Sequence, residues 1–316
     1  MIKTEGLTKY YGEFCALSEL DLEIEHGCIF GYIGPNGAGK TTTIRILAAL
    51  MKPTSGRAWM GDTEVTRYPQ RIKEMVGYLP DFFGVYEGMR VMEYLDFFGA
   101  AFKIHPKKRS ARIDEVLETT GSTYMKDMFV EALSRGMKQR VGIARTLIHD
   151  PQVLLLDEPL SGLDPTARIE MKRLLRKLGS MGKTILVSSH ILPELAAIAD
   201  SVGILDHGEL LASGPVAEVM RGIRPHVLVE MTVLDDTEGA ANLLRKIGEE
   251  AGIGQVEAGG ESIRFEWRAS DGELADLLAT IVDKGFRVRG FEEVPLSLEE
   301  AFTELTTSKE DQIKVE

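Results

Sequence analysis

The segment "GPNGAGKT" has the residue types and the spacing of a phosphate-binding loop. It fits G-x-x-x-x-G-K-[ST], with an apolar strand-like run before it and the helical run "TTTIRILAALM" after it. Glycines allow backbone amides to approach a triphosphate, and the helix start adds its positive dipole end. Lys40 would pair with the β- and γ-phosphates, and Thr41 would hold Mg2+. The residues predicted to bind the nucleotide here are Gly34, Pro35, Asn36, Gly37, Ala38, Gly39, Lys40, Thr41 and Thr42.

Two adjacent carboxylates follow a second apolar run, in "VLLLDEP". A buried strand of this kind delivers Asp157 and Glu158 to the carboxyl edge of the sheet, where ligands bind in open α/β sheets. Asp157 is placed to reach the coordination shell of Mg2+. Glu158 is placed to polarise a water molecule, a role worth roughly 10²- to 10⁴-fold in rate. Beside a phosphate loop, the pair predicts an active site for triphosphate hydrolysis.

Other polar residues are ambiguous by themselves. Ser134 begins a helix in "LSRGMKQRVGIARTLI", and an N-cap leaves amides free for an anion, but ordinary caps do the same. His190 follows the strand-like run "TILVSS" and is either a satisfied edge histidine or a catalytic one. The remaining histidines lack nearby carboxylates or cysteines at metal-ligand spacing. They are interpreted as surface or turn residues: His26, His105, His149, His207 and His226.

The elements that must position these residues form a repeating pattern. Strand-like and helical runs alternate up to about residue 220, which is typical of a largely parallel sheet with helices packed on it. The runs "VMEYLDFFGAAF" and "ARIDEVLETTG" have helical periodicity, so about residues 88–150 are predicted to be a helix-rich insertion. The hairpin "GILDHGELLASG" follows. The sequence therefore predicts an α/β nucleotide-binding domain over residues 1–220 with a helical subdomain.

The pattern changes after residue 220. A strand, a helix, a hairpin, a second helix and a last strand follow one another, which is the split order of a ferredoxin-like α+β domain. A final helix is predicted to begin at Ser297, in a capping box with Glu300. We expect a small α+β domain over residues 221–306 and a polar tail over 307–316.

The composition is that of a globular protein. No apolar run in the 316 residues approaches the ~18 residues of a membrane span. The net charge of −12 argues against general nucleic-acid binding, and the basic run "PKKRSAR" is interpreted as a solvated helix start. The first residues do not resemble a signal peptide, and two cysteines, Cys15 and Cys28, are too few for a disulfide framework. A cytoplasmic location is expected.

Taken together, the motifs indicate a family. The ordered set "YYG", "GPNGAGKT", "LSRGMKQR", "LLLDEP", "SGLDP" and "VSSH" resembles the ATP-binding cassette (ABC) ATPases, over roughly residues 1–220. The resemblance implies a P-loop NTPase cassette that takes ATP and Mg2+. It also implies that such cassettes work as dimers around two nucleotides.

The resemblance assigns roles to residues whose own signals were ambiguous. It implies that Tyr11 stacks on adenine. It implies that Ser134 and Gly136 contact the γ-phosphate of ATP bound to a second subunit, and that Asp164 communicates across that dimer. His190 becomes the switch histidine that holds the γ-phosphate and the attacking water.

The signature segment departs from the family pattern. The family usually has LSGGQ, whereas here Arg135 replaces a glycine and Met137 replaces the glutamine. Ser134 and Gly136 are kept, so the contact with the second nucleotide is expected to survive. The C-terminal part, ending "VPLSLEEAFTELT", is similar to the small domain in ATPase subunits of two-component bacterial and archaeal exporters for drugs, antibiotics, polysaccharides or ions.

A further departure lies in "GYLPDFFGVYEG". Most of the family has a glutamine after "YLP", which reaches Mg2+ and the attacking water in a loop that contacts the permease. Here the residue is Asp81, whose carboxylate offers oxygen to Mg2+ but cannot donate a hydrogen bond as an amide does. Like charges ~4 Å apart cost about 1 kcal/mol in water and roughly 4 at an effective dielectric near 20. Asp81 is therefore expected to join Asp157 and Glu158, as metal ligand and catalytic residue, only when Mg-ATP is bound.

The leading hypothesis is an ATPase subunit that pairs with itself or a paralogous subunit around two Mg-ATP. It would drive a separately encoded membrane permease, with export as the direction by family analogy, and would lie on the inner face of the cell membrane. One alternative is a soluble cassette ATPase of translation or DNA repair, although those proteins usually carry two cassettes or a long coiled coil. The other is a regulatory module that binds a nucleotide without hydrolysing it. The transported substrate is not readable, because the permease carries the selectivity.

Overall fold

The structure is a computed structural model, and it describes residues 1–82, 84, 86, 88–223, 226–248 and 252–294. It divides into two compact units, Met1–Val216 and Ala217–Glu316. The helix predicted at Ser297 and the polar tail lie outside the described residues. Within the described ranges, no helix is both long enough and apolar enough to cross a membrane.

The first unit contains two sheets and the helices around them. The strands in its described residues are β1 (Ile2–Tyr11), β2 (Phe14–Ile24), β3 (Ile29–Ile33), β4 (Ser55–Met60), β5 (Thr63–Glu64), β6 (Val76–Leu79), β7 (Val153–Leu156), β8 (Thr184–Ser189), β9 (Ser201–Asp206) and β10 (Glu209–Pro215). The helices are α1 (Lys40–Leu47), α2 (Pro69–Met75), α3 (Val91–Ala101), α4 (Pro106–Thr119), α5 (Arg135–Leu147), α6 (Pro165–Ser180) and α7 (Leu192–Ala196), and α8 (Val216–Ile223) begins at the unit's end.

The six-stranded sheet positions the candidate site. Its order is β10-β9-β3-β8-β7-β6, with parallel pairing throughout except between β9 and β10, which form the predicted hairpin. β7 and β8 are buried along their whole length, as parallel strands covered on both faces require. Leu79 pairs with Leu156, and Leu156 pairs with Val187. The residues that follow β6, β7 and β8 therefore emerge side by side at one edge.

The second sheet packs against the first through a shared core. Its order is β2-β1-β4-β5, and its strands are antiparallel. Apolar side chains of β1 and β2, such as Ile2 and Leu20, share one buried cluster with Phe30 and Tyr32 of β3 and Ile44 of α1. The strand and helix that flank the phosphate loop are thus held by a common core.

The predicted helix-rich insertion contains α3, α4 and α5. Val91 and Leu95 of α3 are fully buried, as the periodicity predicts. The same stripe emerges from the core further on, since Phe98 is only half-buried and Phe102 is 39% exposed. The basic run "PKKRSAR" does form the exposed start of α4. The insertion therefore carries aromatic side chains at its surface.

The second unit has the ferredoxin-like arrangement predicted from its sequence. Its described elements after α8 are β11 (Val227–Val233), α9 (Thr237–Ile247), β12 (Ile253–Gly259), β13 (Ser262–Trp267), α10 (Asp271–Asp283) and β14 (Val288–Glu293). The sheet order β12-β13-β11-β14 is fully antiparallel, and it places β11 between the hairpin and the last strand. One face is packed by α9 and α10 around Val229, Met231, Leu244, Phe265 and Ile281.

Candidate active site

The phosphate loop is pressed between the two sheets of the first unit. A Cβ added to Gly34 would lie 2.3 Å from the carbonyl oxygen of Leu205, and one added to Gly39 would lie 2.5 Å from that of Ala16. Gly39 also has a φ of 107°, a conformation that L side chains rarely adopt. Backbone atoms on both sides therefore fix the shape of the loop, and the glycines are required by space as well as by conformation.

Lys40 is the first residue of α1 and lies inside the loop. Its Nζ donates to the carbonyl oxygens of Gly34 at 2.6 Å and Pro35 at 3.1 Å. It also lies 3.4 Å from Oε1 of Glu158. The Lys40 side chain is 6% exposed, so this charge is stabilised by loop carbonyls and a carboxylate rather than by water. The motif lysine and the second carboxylate of "DE" thus meet, as the sequence predicts.

Asp157 directly follows β7 and is nearly fully buried. Thr41 Oγ1 donates to its Oδ2 at 2.8 Å, and Ser188 Oγ donates to its Oδ1 at 2.8 Å. Burial raises the pKa of Asp157, the hydrogen bonds from Ser188 and Thr41 lower it, and the charges of Glu158 and Asp81 raise it again. The net direction is upward. Asp157 is therefore a carboxylate held by two hydroxyls in a poorly solvated place.

Glu158 has an unusual backbone for a residue other than glycine, with φ at +49°. Its backbone N–H donates to Ser188 Oγ at 2.9 Å, and its Oε2 lies 3.0 Å from Nδ1 of His190. Its Oε1 is buried and has no hydrogen-bond partner among the described residues, although the Lys40 ammonium forms an ion pair with it at 3.4 Å. Strained backbone at a buried carboxylate is typical of functional sites. The carboxylate is oriented, and one of its oxygens keeps acceptor capacity.

Ser188 is the residue of this cluster that the sequence reasoning missed. It lies in "VSSH", a segment in which only the histidine is predicted to be functional. The available signal was a hydroxyl in an otherwise apolar buried strand, because a buried hydroxyl needs partners. The structure brings together Lys40, Thr41, Asp157, Glu158 and His190, with Ser188 between the two carboxylate residues.

Ser134, Gly136 and Asp164 lie at two neighbouring helix starts. Ser134 caps α5 by accepting from the N–H of Met137 at 3.3 Å, and Asp164 caps α6 by accepting from that of Ala167 at 2.9 Å. A Cβ on Gly136 would lie 2.9 Å from Cβ of Ala167, so the two helix starts are in close contact. The side-chain hydrogen bonds of both caps are to their own helices, so their roles towards a nucleotide remain predictions.

Asp81 lies after β6, on the exposed side of the site. Its Oδ1 is 3.9 Å from Nη2 of Arg135, and both side chains are more than half exposed. The Arg135 guanidinium also lies over Gly162, where an added Cβ would come within 2.6 Å of it. Two of the three departures from the family pattern, Asp81 and Arg135, therefore face each other. The role of Asp81 towards Mg2+ remains a prediction.

Tyr11 ends β1 and is 45% exposed. Its hydroxyl lies 3.0 Å from Sδ of Met51 and 3.5 Å from Oγ1 of Thr42, the last of the predicted loop residues. An exposed ring beside the start of α1 is accessible to a planar base. Stacking on adenine remains a prediction for Tyr11.

His149 lies in the turn that follows α5, as the assignment to surface or turn residues allows, but its ring is not at the surface. Its ring is half-buried and stacks on Phe102 at 3.8 Å between centroids, and Nε2 lies 3.0 Å from the carbonyl oxygen of Val76. Burial lowers its pKa to about 4. The stack lines a groove of about 370 Å³ between the sheet and the insertion. The groove's wall includes Leu50, Tyr78, Phe98, Phe102, Arg145 and His149.

Comparison with known proteins agrees with this geometry. The sequence profile described as "ABC transporter" matches residues 17–161. The chain is 39% identical to the bacitracin transport ATP-binding protein BcrA of Bacillus licheniformis over 73% of this chain and 75% of that protein. It is 33% identical to the Nod factor export ATP-binding protein I of Cupriavidus metallidurans over 97% of both chains. The chain belongs to the ABC transporter family, as an ATP-binding subunit.

Solved structures of the family extend the comparison. The ATP-binding subunit of an ABC transporter matches with a TM-score of 0.63 and 27% identity, over 70% of this chain and 92% of that one. A dimeric bacterial ABC transporter cassette matches with a TM-score of 0.61 and 26% identity, over 68% of this chain and 99% of that one. The predicted P-loop NTPase cassette is confirmed. ABC subunits of this kind are ATPases coupled to transport, which favours the transporter hypothesis over translation, DNA repair or a regulatory module.

Proposed function

We propose that this ABC ATPase forms a dimer around two Mg-ATP and drives the export of a substrate through a separately encoded permease. The observation that carries the proposal is the cluster of Lys40, Thr41, Asp157, Glu158 and His190 at the sheet edge, in which Lys40 and Asp157 are buried. The relatives support the export direction, since they include Nod factor export and daunorubicin/doxorubicin resistance proteins.

The cluster's chemistry fits a magnesium ion. Mg2+ prefers oxygen ligands and is usually bound by one or two carboxylates together with substrate phosphates and waters. The Thr41 hydroxyl and the buried Asp157 carboxylate form such a donor set beside the phosphate loop. In the described part of the chain, no group of three or more His, Cys, Asp or Glu side chains forms a dedicated metal cage. We assign Thr41 and Asp157 to Mg2+, with Asp81 as an additional carboxylate.

Each residue of the cluster has a role in hydrolysis of the γ-phosphate. Mg2+ supplies neutralisation of charge on the phosphate oxygens. The loop amides and the Lys40 ammonium bind the β- and γ-phosphates, which requires Lys40 to exchange its present carbonyl partners for phosphate oxygens. The Glu158 carboxylate accepts a proton from the attacking water, using the oxygen that has acceptor capacity. His190 holds the other carboxylate oxygen, Oε2. This contact orients the Glu158 carboxylate so that Oε1 faces the water.

We propose that a partner subunit completes the nucleotide site with the starts of its α5 and α6. The starts of α5 and α6, capped by Ser134 and Asp164, lie side by side. Two helix N-termini present amide groups and positive dipole ends to an anion. In a dimer, Ser134 and Gly136 of one chain would contact the γ-phosphate held by the other chain. Asp164 would lie at the same boundary between the subunits.

The groove beside α5 is proposed as the permease contact. It is lined by Phe98, Phe102, Leu50 and Tyr78, and Leu50 and Phe102 are exposed apolar side chains. Phe82, which follows Asp81, is 88% exposed but lies outside this groove, in a separate pocket with Arg135 and Lys138. Exposed apolar side chains gathered around one groove are typical of protein–protein contacts. A permease segment in this groove would lie next to β6 and the Asp81 loop, so binding there is adjacent to the nucleotide site.

Substitution of Glu158 tests the catalytic part of the proposal. Glu158→Gln keeps the volume and the oxygen that faces His190 but removes the base, so turnover should fall at least about 100-fold while ATP binding is retained. Retained ATP should also stabilise a dimer, which size-exclusion chromatography with light scattering would detect. Glu115→Gln, on the exposed side of α4, is the matched control and should hydrolyse ATP at the parent rate. Parent-rate hydrolysis by Glu158→Gln would rule out Glu158 as the base.

A further inference from the structure

The hydroxyl of Ser188 joins the residues assigned to metal binding and to water activation. Ser188 Oγ donates to Asp157 Oδ1 at 2.8 Å and accepts from the backbone N–H of Glu158 at 2.9 Å. Ser188 is fully buried, so water is no alternative partner for either bond. One hydroxyl therefore uses its donor on one carboxylate residue and its acceptor on the next.

Strand register explains why position 188 can do this. β8 runs parallel to β7, and the pairing of Leu156 with Val187 places the next residue of each strand, Asp157 and Ser188, beside one another. The preceding positions of β8 are apolar from Ile185 onwards. A hydroxyl left unpaired at such a buried position would lose its hydrogen bonds with water without replacement. Its two partners satisfy it, and both partners belong to the active site.

The hydrogen bond from the Glu158 N–H to Ser188 Oγ stabilises an unusual backbone conformation of Glu158. Its φ of +49° is a strained conformation for a residue with a side chain, and the surrounding structure must hold it. The bond from its N–H to Ser188 helps to hold that conformation, and the carboxylate then reaches Lys40 at 3.4 Å and His190 at 3.0 Å. The peptide bond between Asp157 and Glu158 is shared by both residues. A change in its orientation would therefore move both carboxylates together.

We propose that Ser188 is a positioning residue that holds Asp157 and Glu158 in the geometry needed for ATP hydrolysis. The inference rests on the roles proposed above for the two carboxylates. Thr41 makes the other hydrogen bond to Asp157 but is itself assigned to Mg2+. Ser188 supplies the bond to Asp157 that does not come from a metal ligand.

Ser188→Ala in the full chain is the first test. Loss of a partner that orients a metal ligand commonly costs 10- to 100-fold in activity or metal affinity. The kcat of Ser188→Ala should therefore fall by roughly that factor. The Mg2+ concentration that gives the half-maximal rate should rise about threefold or more. A second readout is the affinity for a non-hydrolysable ATP analogue with Mg2+ and in EDTA. The affinity in EDTA should stay within about twofold, whereas the gain from Mg2+ should shrink.

Ser189→Ala is the matched control. Ser189 is also buried at the end of β8, but its hydroxyl accepts from the N–H of Ile191 and is not bonded to either carboxylate. Its Mg2+ dependence should equal that of the parent. Ser188→Thr, which restores the hydroxyl, should recover most of the activity lost in Ser188→Ala. If Ser188→Ala does not fold, Ser188→Cys keeps the volume with a weaker donor and should change both readouts in the same direction.

The results separate this inference from the proposed function. If Ser188→Ala matches Ser189→Ala in kcat and in the gain from Mg2+, the positioning role is overturned. With Glu158→Gln inactive, that result leaves the catalytic assignments standing. If Glu158→Gln is active, the proposed function itself fails. A Ser188→Thr variant as impaired as Ser188→Ala in its Mg2+ readouts also overturns the inference, because the hydroxyl would not be the group that matters.

Discussion

Lowering the pH should destabilise the first unit through His149. The Nε2–H of His149 donates to the carbonyl oxygen of Val76, because a carbonyl can only accept. Nδ1 then carries a lone pair, and it is buried with no partner among the described residues. Protonation would place a second N–H there, in the plane of the imidazole, where no acceptor faces it among the described residues. Burial is the largest cause of the lowered pKa, the carbonyl of Val76 acts in the opposite direction, and the charges of Arg112, Asp150 and Lys183 act in smaller measure.

The sign and the size follow from proton linkage. A pKa that is about 4 in the folded chain and 6.5 in the unfolded chain means that the unfolded state takes up the proton first as pH falls. The contribution of His149 to the free energy of unfolding is fully present above pH 6.5 and is lost progressively down to about pH 4. At 1.36 kcal/mol per pH unit this gives a loss of about 2 kcal/mol between pH 7 and pH 5. Partial exposure of the ring reduces it to about 1–2 kcal/mol.

The assay is urea unfolding at pH 7, 6 and 5, with His149→Phe as the test variant. The phenyl ring keeps the stack on Phe102 but does not titrate, so its stability should fall less with pH than that of the parent. Trp59 in β4 reports on the first unit when Trp267, the other tryptophan, is replaced by phenylalanine in all variants.

His207→Asn is the control for this measurement, since the His207 side chain is 92% exposed in the turn between β9 and β10. It should show the parent's pH dependence. Equal losses in the parent and in His149→Phe, within about 0.5 kcal/mol, would refute the reasoning, because a buried neutral histidine must be costly to protonate.

Three further predictions concern the site and its surroundings. Gly39→Ala forces a methyl group to 2.5 Å from the Ala16 carbonyl oxygen at a φ of 107°. Nucleotide binding in equilibrium dialysis should therefore be lost, or the midpoint of thermal unfolding should fall by several degrees. Parent behaviour in both measurements would contradict the steric argument. Asp81→Asn should change the ATPase rate or its Mg2+ dependence, and if neither changes, Asp81 is a spectator. Phe102→Asp should abolish co-purification with the permease, whereas Tyr124→Asp, at a 65% exposed side chain, should not. Recovery of equal amounts of permease with the two variants would place the contact elsewhere.

Most of the cassette could be predicted because its signals are local. The phosphate loop, the strand before it and the helix after it are contiguous in the sequence, and the "DE" pair follows a run that is buried throughout. The fold of the C-terminal unit could also be predicted, because the order of its strands and helices, with the hairpin between β12 and β13, is that of a split topology. Glycine spacing and apolar periodicity act over a few residues.

The misses depend on contacts between distant segments. Ser188 lies 31 positions from Asp157, and only the register between β7 and β8 places its hydroxyl between two active-site residues. His149 lies in a turn, as the assignment to surface or turn residues allows, but its burial depends on the ring of Phe102, which follows α3. Likewise, nothing in either local motif indicated that Asp81 and Arg135 would face each other.

The confinement of the phosphate loop by backbone carbonyls has a thermodynamic consequence for the nucleotide. The carbonyls of Ala16 and Leu205 leave no room for side chains at Gly39 and Gly34, so the loop's conformational entropy is given up when the two sheets pack together. A flexible loop would lose that entropy on capturing ATP, at a cost of about 1–2 kcal/mol for each residue ordered. Here the loop is preorganised. Its backbone should therefore show little picosecond-to-nanosecond motion in the free protein, and ATP should find its binding loop already ordered by folding.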